Sequence, residues 1–353
     1  MSQTKFALEK FSALRKAFLR EKLDGFLVTD HLDQFYLTHF RFGAGETVLL
    51  VSKKSIICFT RSLYVEPFSK FAPYMEVIGE DADRLSVAMS YARKLGLKKV
   101  GFDASKIGYL PGKTLVANGF LEAPGFLAQF RQVKDAQELK FLRASNRLAY
   151  QTYEYIKPRI KTGMTETQVA AEMECFMRAN GASGTSFDTI VAFGENASNP
   201  HHVTGARKLK AQDAVLLDFG CLYEGYCADM TRSWWHGSKA PAEYTKIWNL
   251  TEKARKTGIK TVKEGVRGSD VDAAARAVIE KAGYGAFFTH GTGHGVGIEI
   301  HESPYTNQQE KSFLKEGNVV TVEPGIYLPG KFGVRLEDTV AVTKTGAKIL
   351  TKK

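Results

Sequence analysis

Two stretches of the chain place pairs of carboxylates near the ends of apolar strands, and this limits the fold more than any other feature. The segment Leu217–Met230 (LDFGCLYEGYCADM) reads as a β-hairpin with Glu224–Gly225 near its turn. If the pairing is centred between Tyr223 and Glu224, Asp218 and Asp229 stand opposite each other. The segment Thr321–Asp338 (TVEPGIYLPGKFGVRLED) reads as a second hairpin turning at Pro329–Gly330, and symmetry about Gly330 sets Glu323 opposite Glu337. Ionised carboxylates facing across a ladder repel, and Asp218 follows the apolar run Val215–Leu217, where an unpartnered charge is costly. A chain that keeps both pairs needs a cation between them. One such hairpin could be two unrelated surface acids; two in one chain make that the weaker explanation.

The histidines extend the pattern. Three of the eight fall in His290–His301 (HGTGHGVGIEIH), and two are adjacent at His201 and His202. Glycines at 291, 293, 295 and 297 alternate along what reads as a strand near 294–301, leaving one face bare for a close approach by other backbone or a ligand. His294 within that run is a natural imidazole ligand. Four carboxylates and one imidazole, with oxygen dominant, suit two divalent ions such as Mn²⁺, Co²⁺ or Zn²⁺. Such a pair can activate a water and clamp the oxygens of a hydrolytic reaction. Competing motifs are missing: the sequence has no His–Glu–x–x–His and no Walker loop, and Val296 stands where a dinucleotide fingerprint needs its third glycine.

Around these residues the pattern predicts two domains, 1–128 and 129–353. In the first, helical spacing of Phe6, Leu8, Phe11, Leu14, Phe18 and Leu19 is followed by strands at Gly25–Val28, Thr47–Val51 and Lys54–Phe59, a helix near Leu85–Leu97 and a strand ending at Phe102. That is an α/β domain without an acid/base or metal constellation. In the second, Asp135 with Glu138 caps a long helix towards Pro158, and Thr165 caps another towards Asn180. Strands follow at Val215–Gly220 and Tyr226–Trp234, then a helical zone at about 242–282, then strands near 294–301, 319–328 and 333–343.

The net charge of +11 would admit a nucleic-acid partner, but the excess is spread over both halves with no basic run to track a phosphate backbone. No apolar stretch approaches the roughly 18–20 residues of a membrane helix, and the N-terminus leads into a charged amphipathic stretch rather than a signal segment. Four cysteines are too few for a disulfide framework, so reduced thiols in a cytoplasm are expected. Cys221 and Cys227 flank the first turn closely enough that a disulfide is conceivable, with packing thiols the simpler expectation.

The order Asp218, Asp229, His294, Glu323, Glu337 resembles the pita-bread metallopeptidases. The flanks Asp229–Arg232 (DMTR), His290–Gly295 (HGTGHG), Val322–Gly325 (VEPG) and Val334–Asp338 (VRLED) resemble their proline-specific branch, aminopeptidase P and prolidase. The likeness covers essentially the whole chain: Leu23–Val28 and Phe35–Thr38 resemble the creatinase-like N-terminal domain of these enzymes. The fold it implies is an α/β creatinase-like domain followed by an α+β pita-bread catalytic domain. It further implies that Asp218 chelates one metal, that Asp229 and Glu337 bridge both, and that His294 and Glu323 complete the other, with Glu323 also relaying a proton. His201 matches a substrate-side histidine, His301 one that stabilises the tetrahedral intermediate, and His290 and Arg335 supporting positions, Arg335 holding a bridging carboxylate. His202 matches no such role and defaults to a surface histidine.

The implied substrate is a peptide with proline second, whose tertiary amide has no N–H for an ordinary peptidase to grip. Tyr305 stands where prolidases often carry a basic residue, which favours an aminopeptidase P-like enzyme over a dipeptidase. A non-catalytic binding module on the same fold is the alternative of another class, and retention of all five ligands speaks against it. A homodimer is also implied by the resemblance.

Overall fold

The computed structural model describes residues 3–352. The chain divides into two compact units between Arg131 and Gln132, slightly beyond the boundary read from the sequence. No helix among the described residues is long and apolar enough to cross a membrane.

The first unit is built on a six-stranded mixed sheet in the order Glu76–Gly79, Ile56–Thr60, Thr47–Ser52, Gly25–Val28, Val100–Phe102, Leu121–Glu122. Its central strands are buried along their whole length, so they read as unbroken apolar runs instead of alternating ones. The helix Gln3–Arg20 buries Phe6, Phe11, Leu14 and Phe18, while Leu8 and Leu19 fall off this stripe and are exposed. The buried Asp33 pairs with Arg131 at 3.0 Å.

In the second unit both capping expectations are met. Asp135 with Glu138 opens the helix Ala136–Ile156, and Thr165 with Gln168 opens Glu166–Ala179, each through a reciprocal capping box. The helical zone resolves into Ala242–Thr261 and Gly268–Lys281. Every ladder in this unit is antiparallel. The largest sheet runs in the order Glu302–Thr306, Gly293–Gly295, Val319–Val322, Asp338–Val342, Ala347–Ile349.

The second hairpin has the expected register. Gly325 pairs with Arg335 and Leu328 with Phe332 on the turn side, and Val322 pairs with Asp338 on the other. Glu323 and Glu337 therefore face each other at a gap between two ladders. The first hairpin departs from expectation. Glu224 (φ 51°) and Gly225 (φ 82°) both adopt left-handed backbone, which makes a two-residue turn closed by Tyr223 and Tyr226. The centre moves by one residue, so Asp218 pairs with Thr231 and not with Asp229. Asp229 instead lies where the ladder lapses, beside Gly220. A Cβ on Gly220 would sit 1.7 Å from the Ala228 carbonyl oxygen, so only glycine permits this crossing.

The strand expected near 294–301 is shorter than the glycine pattern suggested. Only Gly293–Gly295 is laddered, between Glu302–Thr306 and Val319–Val322. The chain then turns, with Gly297 N donating to Glu299 O at 3.0 Å, and His301 leaves the strand. A Cβ on Gly293 would lie 2.3 Å from Thr321 O, which explains the bare backbone on this flank of His294. Cys221 and Cys227 are not joined in a disulfide: their Sγ atoms donate to Ser145 O and Ile298 O respectively.

Candidate metal centre

The ends of these strands open on a cavity of about 710 Å³ in the second unit, lined by Asp218, Asp229, His294, Glu323, Arg335 and four further histidines, His201, His202, His290 and His301, among others. Ligand-capable oxygens of Asp218, Asp229 and Glu337 lie within 4.8 Å of one another. His294 joins the group from the glycine-flanked strand, its Nε2 3.4 Å from Asp229 Oδ2 and 3.3 Å from Glu323 Oε1. All five residues expected to hold metal thus converge, although the first pair meets through a gap in the ladder and not across a rung.

Electrostatics here is unfavourable without a cation. Burial, followed by the charges of neighbouring carboxylates, raises Asp229 and Glu337 well above the usual carboxylate range. Two unit charges 4 Å apart repel by about 4 kcal/mol at an effective dielectric of about 20. Burial also acts to raise Glu323, but the His294 ring outweighs it and holds this acid down at about 2. Asp218 Oδ1 and Glu337 Oε1 are buried acceptors with no hydrogen-bond partner among the described residues. Oxygens of this kind, clustered and left without donors, fit divalent cations. The imidazole is oriented for the same purpose: Nδ1 of His294 lies 3.1 Å from Gly295 O, so a proton donated there leaves the Nε2 lone pair facing the carboxylates.

A hydrogen-bonded frame supports the acids. Arg335, 3% exposed, donates from Nη2 to Asp218 Oδ2 at 2.5 Å and from Nε to Thr231 Oγ1 at 3.1 Å. Thr231 Oγ1 in turn donates to Glu337 Oε2 at 2.8 Å. The expectation that Arg335 holds a bridging carboxylate is thereby modified: it grips Asp218 directly and reaches Glu337 only through Thr231. Nη1 of Arg335 donates to Tyr327 Oη at 2.8 Å, and Tyr327 Oη lies 2.7 Å from His290 Nε2. His290 Nδ1 is 2.7 Å from Gly291 O. One proton arrangement satisfies the whole chain: Arg335 donates to Tyr327, Tyr327 to His290, and His290 to the backbone. Burial agrees with it, lowering His290 towards the neutral ring and pushing the Tyr327 hydroxyl up to about 12.

His301 packs edge-on against His294 with ring centroids 4.3 Å apart, and burial followed by His294 lowers its basicity. His201 is exposed on the cavity wall. His202 is not the surface residue it was expected to be: its ring is 15% exposed and its Nε2 lies 2.8 Å from the fully buried Glu166.

Thr231 and Tyr327 were missed as supporting residues, and each had a signal in the sequence. Tyr327 falls four residues after Glu323 on the same side of an extended strand, just as Arg335 falls two before Glu337. Thr231 becomes visible once the Glu224–Gly225 turn is read as the two-residue type, because the register then sets it opposite Asp218.

Comparison with known proteins agrees with this geometry. The model of metallopeptidase family M24 matches residues 140–344, and that of the creatinase/prolidase N-terminal domain matches residues 10–117. A Xaa-Pro dipeptidase from Pyrococcus horikoshii is 32% identical over 349 residues, 98% of this chain and 97% of its own. The solved structure of a Xaa-Pro dipeptidase from Bacillus anthracis superposes with a TM-score of 0.93 at 36% identity, covering 98% of each chain. That of an X-Pro aminopeptidase from Thermotoga maritima gives 0.87 at 31% identity, covering 94% of this chain and 96% of that one. The clustered acids, the imidazole among them and the likeness along nearly the full length lead to one conclusion: this chain belongs to metallopeptidase family M24, with a creatinase/prolidase N-terminal domain ahead of its peptidase domain.

Proposed function

We propose that the chain is a two-metal Xaa–Pro dipeptidase. The observation that carries this reading is the convergence of Asp218, Asp229, His294, Glu323 and Glu337 around donor-less buried oxygens. The specificity is supported by the full-length relatives named as Xaa-Pro dipeptidases. These favour a dipeptidase over the aminopeptidase expected from Tyr305. Mn²⁺ is the proposed ion, since a donor set dominated by carboxylate suits an oxygen-preferring metal, with Co²⁺ and Zn²⁺ as the nearest alternatives.

When bound, two divalent ions supply Lewis-acid polarisation of the scissile carbonyl and lower the pKa of a water to near neutrality. The protein's own residues do the rest. Asp218, Asp229, Glu337, His294 and Glu323 hold the ions, and Arg335 and Thr231 keep Asp218 and Glu337 aimed. Glu323 is assigned the proton transfer: it takes a proton from the attacking water and delivers it to the proline nitrogen, which must leave as an amine. His301 is assigned to the oxyanion formed at the carbonyl, where a positioned N–H donor is most effective. His201 is assigned to the substrate side of the same cavity.

The aminopeptidase alternative retains one specific support. Arg335 is the only lysine or arginine among the residues that line the cavity, and it is engaged by Asp218. Tyr305, which stands where prolidases often carry a basic residue, lines the same cavity. The deciding experiment is an assay of Mn²⁺-loaded protein on Xaa–Pro dipeptides and on Xaa–Pro–Xaa tripeptides. Cleavage of dipeptides is the expected result. Cleavage of tripeptides alone establishes the aminopeptidase, and hydrolysis of neither overturns the Xaa–Pro reading.

A further inference from the structure

Glu166 is the first residue of the helix Glu166–Ala179, and it is fully buried. Its carboxylate is saturated by one stretch of chain. Oε1 accepts from Phe193 N at 2.9 Å and from Asn196 Nδ2 at 2.8 Å. Oε2 accepts from His202 Nε2 at 2.8 Å and from Gly205 N at 3.0 Å. Four donors fill the lone-pair sites of an ionised carboxylate, whereas an amide in the same place would turn an N–H₂ against other donors. The same helix start is fastened to this stretch through Thr167, whose N and Oγ1 donate to Gly205 O at 3.0 and 2.9 Å.

The stretch so gathered, residues 193–205, carries His201 to the cavity wall. Arg335, the arginine that holds Asp218, also donates from Nη1 to Pro200 O at 3.2 Å. The stretch is thus tied to the metal-side frame through the Pro200 carbonyl, one residue before His201, and to Glu166 through the His202 ring, one residue after it. Further along, Thr204 Oγ1 donates to Thr189 O at 2.7 Å, joining the stretch to another part of the cavity lining.

We propose that Glu166 and His202 are a positioning pair that fixes the backbone at His201, and so sets where the substrate-side imidazole meets the peptide. This rests on the reading above in assigning His201 to the substrate. Neither residue of the pair is assigned a contact with the reacting atoms. They act through His201, so their loss misplaces a group that remains chemically intact.

The test is a double-mutant cycle on Mn²⁺-loaded protein. His202→Ala is expected to lower kcat/KM on a cleaved Xaa–Pro peptide by about 10–100-fold, the scale of a misplaced group, with metal content unchanged. His202→Gln, whose amide N–H can still reach Glu166, is expected to recover most of that loss. In a His201→Ala background, His202→Ala should add no further loss beyond about twofold. An equal loss in both backgrounds, full activity of His202→Ala, a fall in its metal content, or no recovery by His202→Gln would each overturn the proposal.

Amide hydrogen exchange separates this proposal from the functional reading. Exchange across residues 193–205 should accelerate in His202→Ala and in Glu166→Gln whether or not Xaa–Pro peptides are cleaved. Unchanged exchange in both overturns the pair. Wild-type protein that cleaves no Xaa–Pro peptide overturns the substrate reading and leaves the exchange result to decide the pair.

Discussion

Both units bury carboxylates, and they treat them in opposite ways. In the first, Asp33 meets Arg131 at 3.0 Å, and burial still lifts the acid to about 6 against the pull of the guanidinium. In the second, Asp229 and Glu337 face other carboxylates with no lysine or arginine partner among the described residues, and burial with like charge raises both. The first arrangement is complete within the chain and serves packing. The second is left incomplete, and a group from outside must complete it. A buried acid is therefore weak evidence of function by itself. What distinguishes a site is acids gathered together with their donors withheld.

Three perturbations test this contrast, beginning with the one of largest effect. Glu323→Gln keeps an oxygen for a cation but cannot move a proton, so kcat should fall by about 10²–10⁴-fold with metal stoichiometry retained. Steady-state kinetics beside elemental analysis would check it, and undiminished turnover would remove Glu323 from its role. Thr231→Val removes both the donor to Glu337 Oε2 and the acceptor of Arg335 Nε. Metal affinity should weaken by about 10–100-fold, read by competition with a chromophoric chelator, while Asp33 and its pair are untouched.

The third perturbation is pH. A carboxyl raised in the fold contributes stability below its unfolded pKa and loses it as pH rises through the folded one. Metal-stripped protein should therefore lose thermal stability as pH climbs above the ordinary carboxylate range. Saturating Mn²⁺ should abolish the part due to Asp229 and Glu337 and leave the part due to Asp33, which is lost between its ordinary value of 3.8 and about 6. A slope that metal does not alter would mean that the cluster is no different in kind from the Asp33 pair.

Much of this was legible in the sequence where short-range chemistry decides. The Asp135 and Thr165 caps and the symmetry of the second hairpin follow from residue type and spacing, and the structure keeps them. The first hairpin failed on turn chemistry: Glu224 takes left-handed backbone beside Gly225, a conformation that counting apolar residues does not reveal, and the pairing shifted accordingly. His202 failed for a different reason. Its partner Glu166 lies thirty-six positions earlier, inside a helix start that already had a satisfactory local explanation. The length of the glycine-rich strand could not be read either, because both its neighbours come from later segments.

The ladder gap between Glu323 and Glu337 has one more consequence. Paired strands flank it on both sides, Val319–Val322 with Asp338–Val342 and Gly325–Leu328 with Phe332–Arg335. The register of the two acids is therefore held by ladders on both sides, and the exposed tip at Pro329–Lys331 lies beyond the second of them. A label attached at this tip is separated from the two acids by the whole Gly325–Leu328 and Phe332–Arg335 ladder, which makes it the natural handle by which the protein can be tethered.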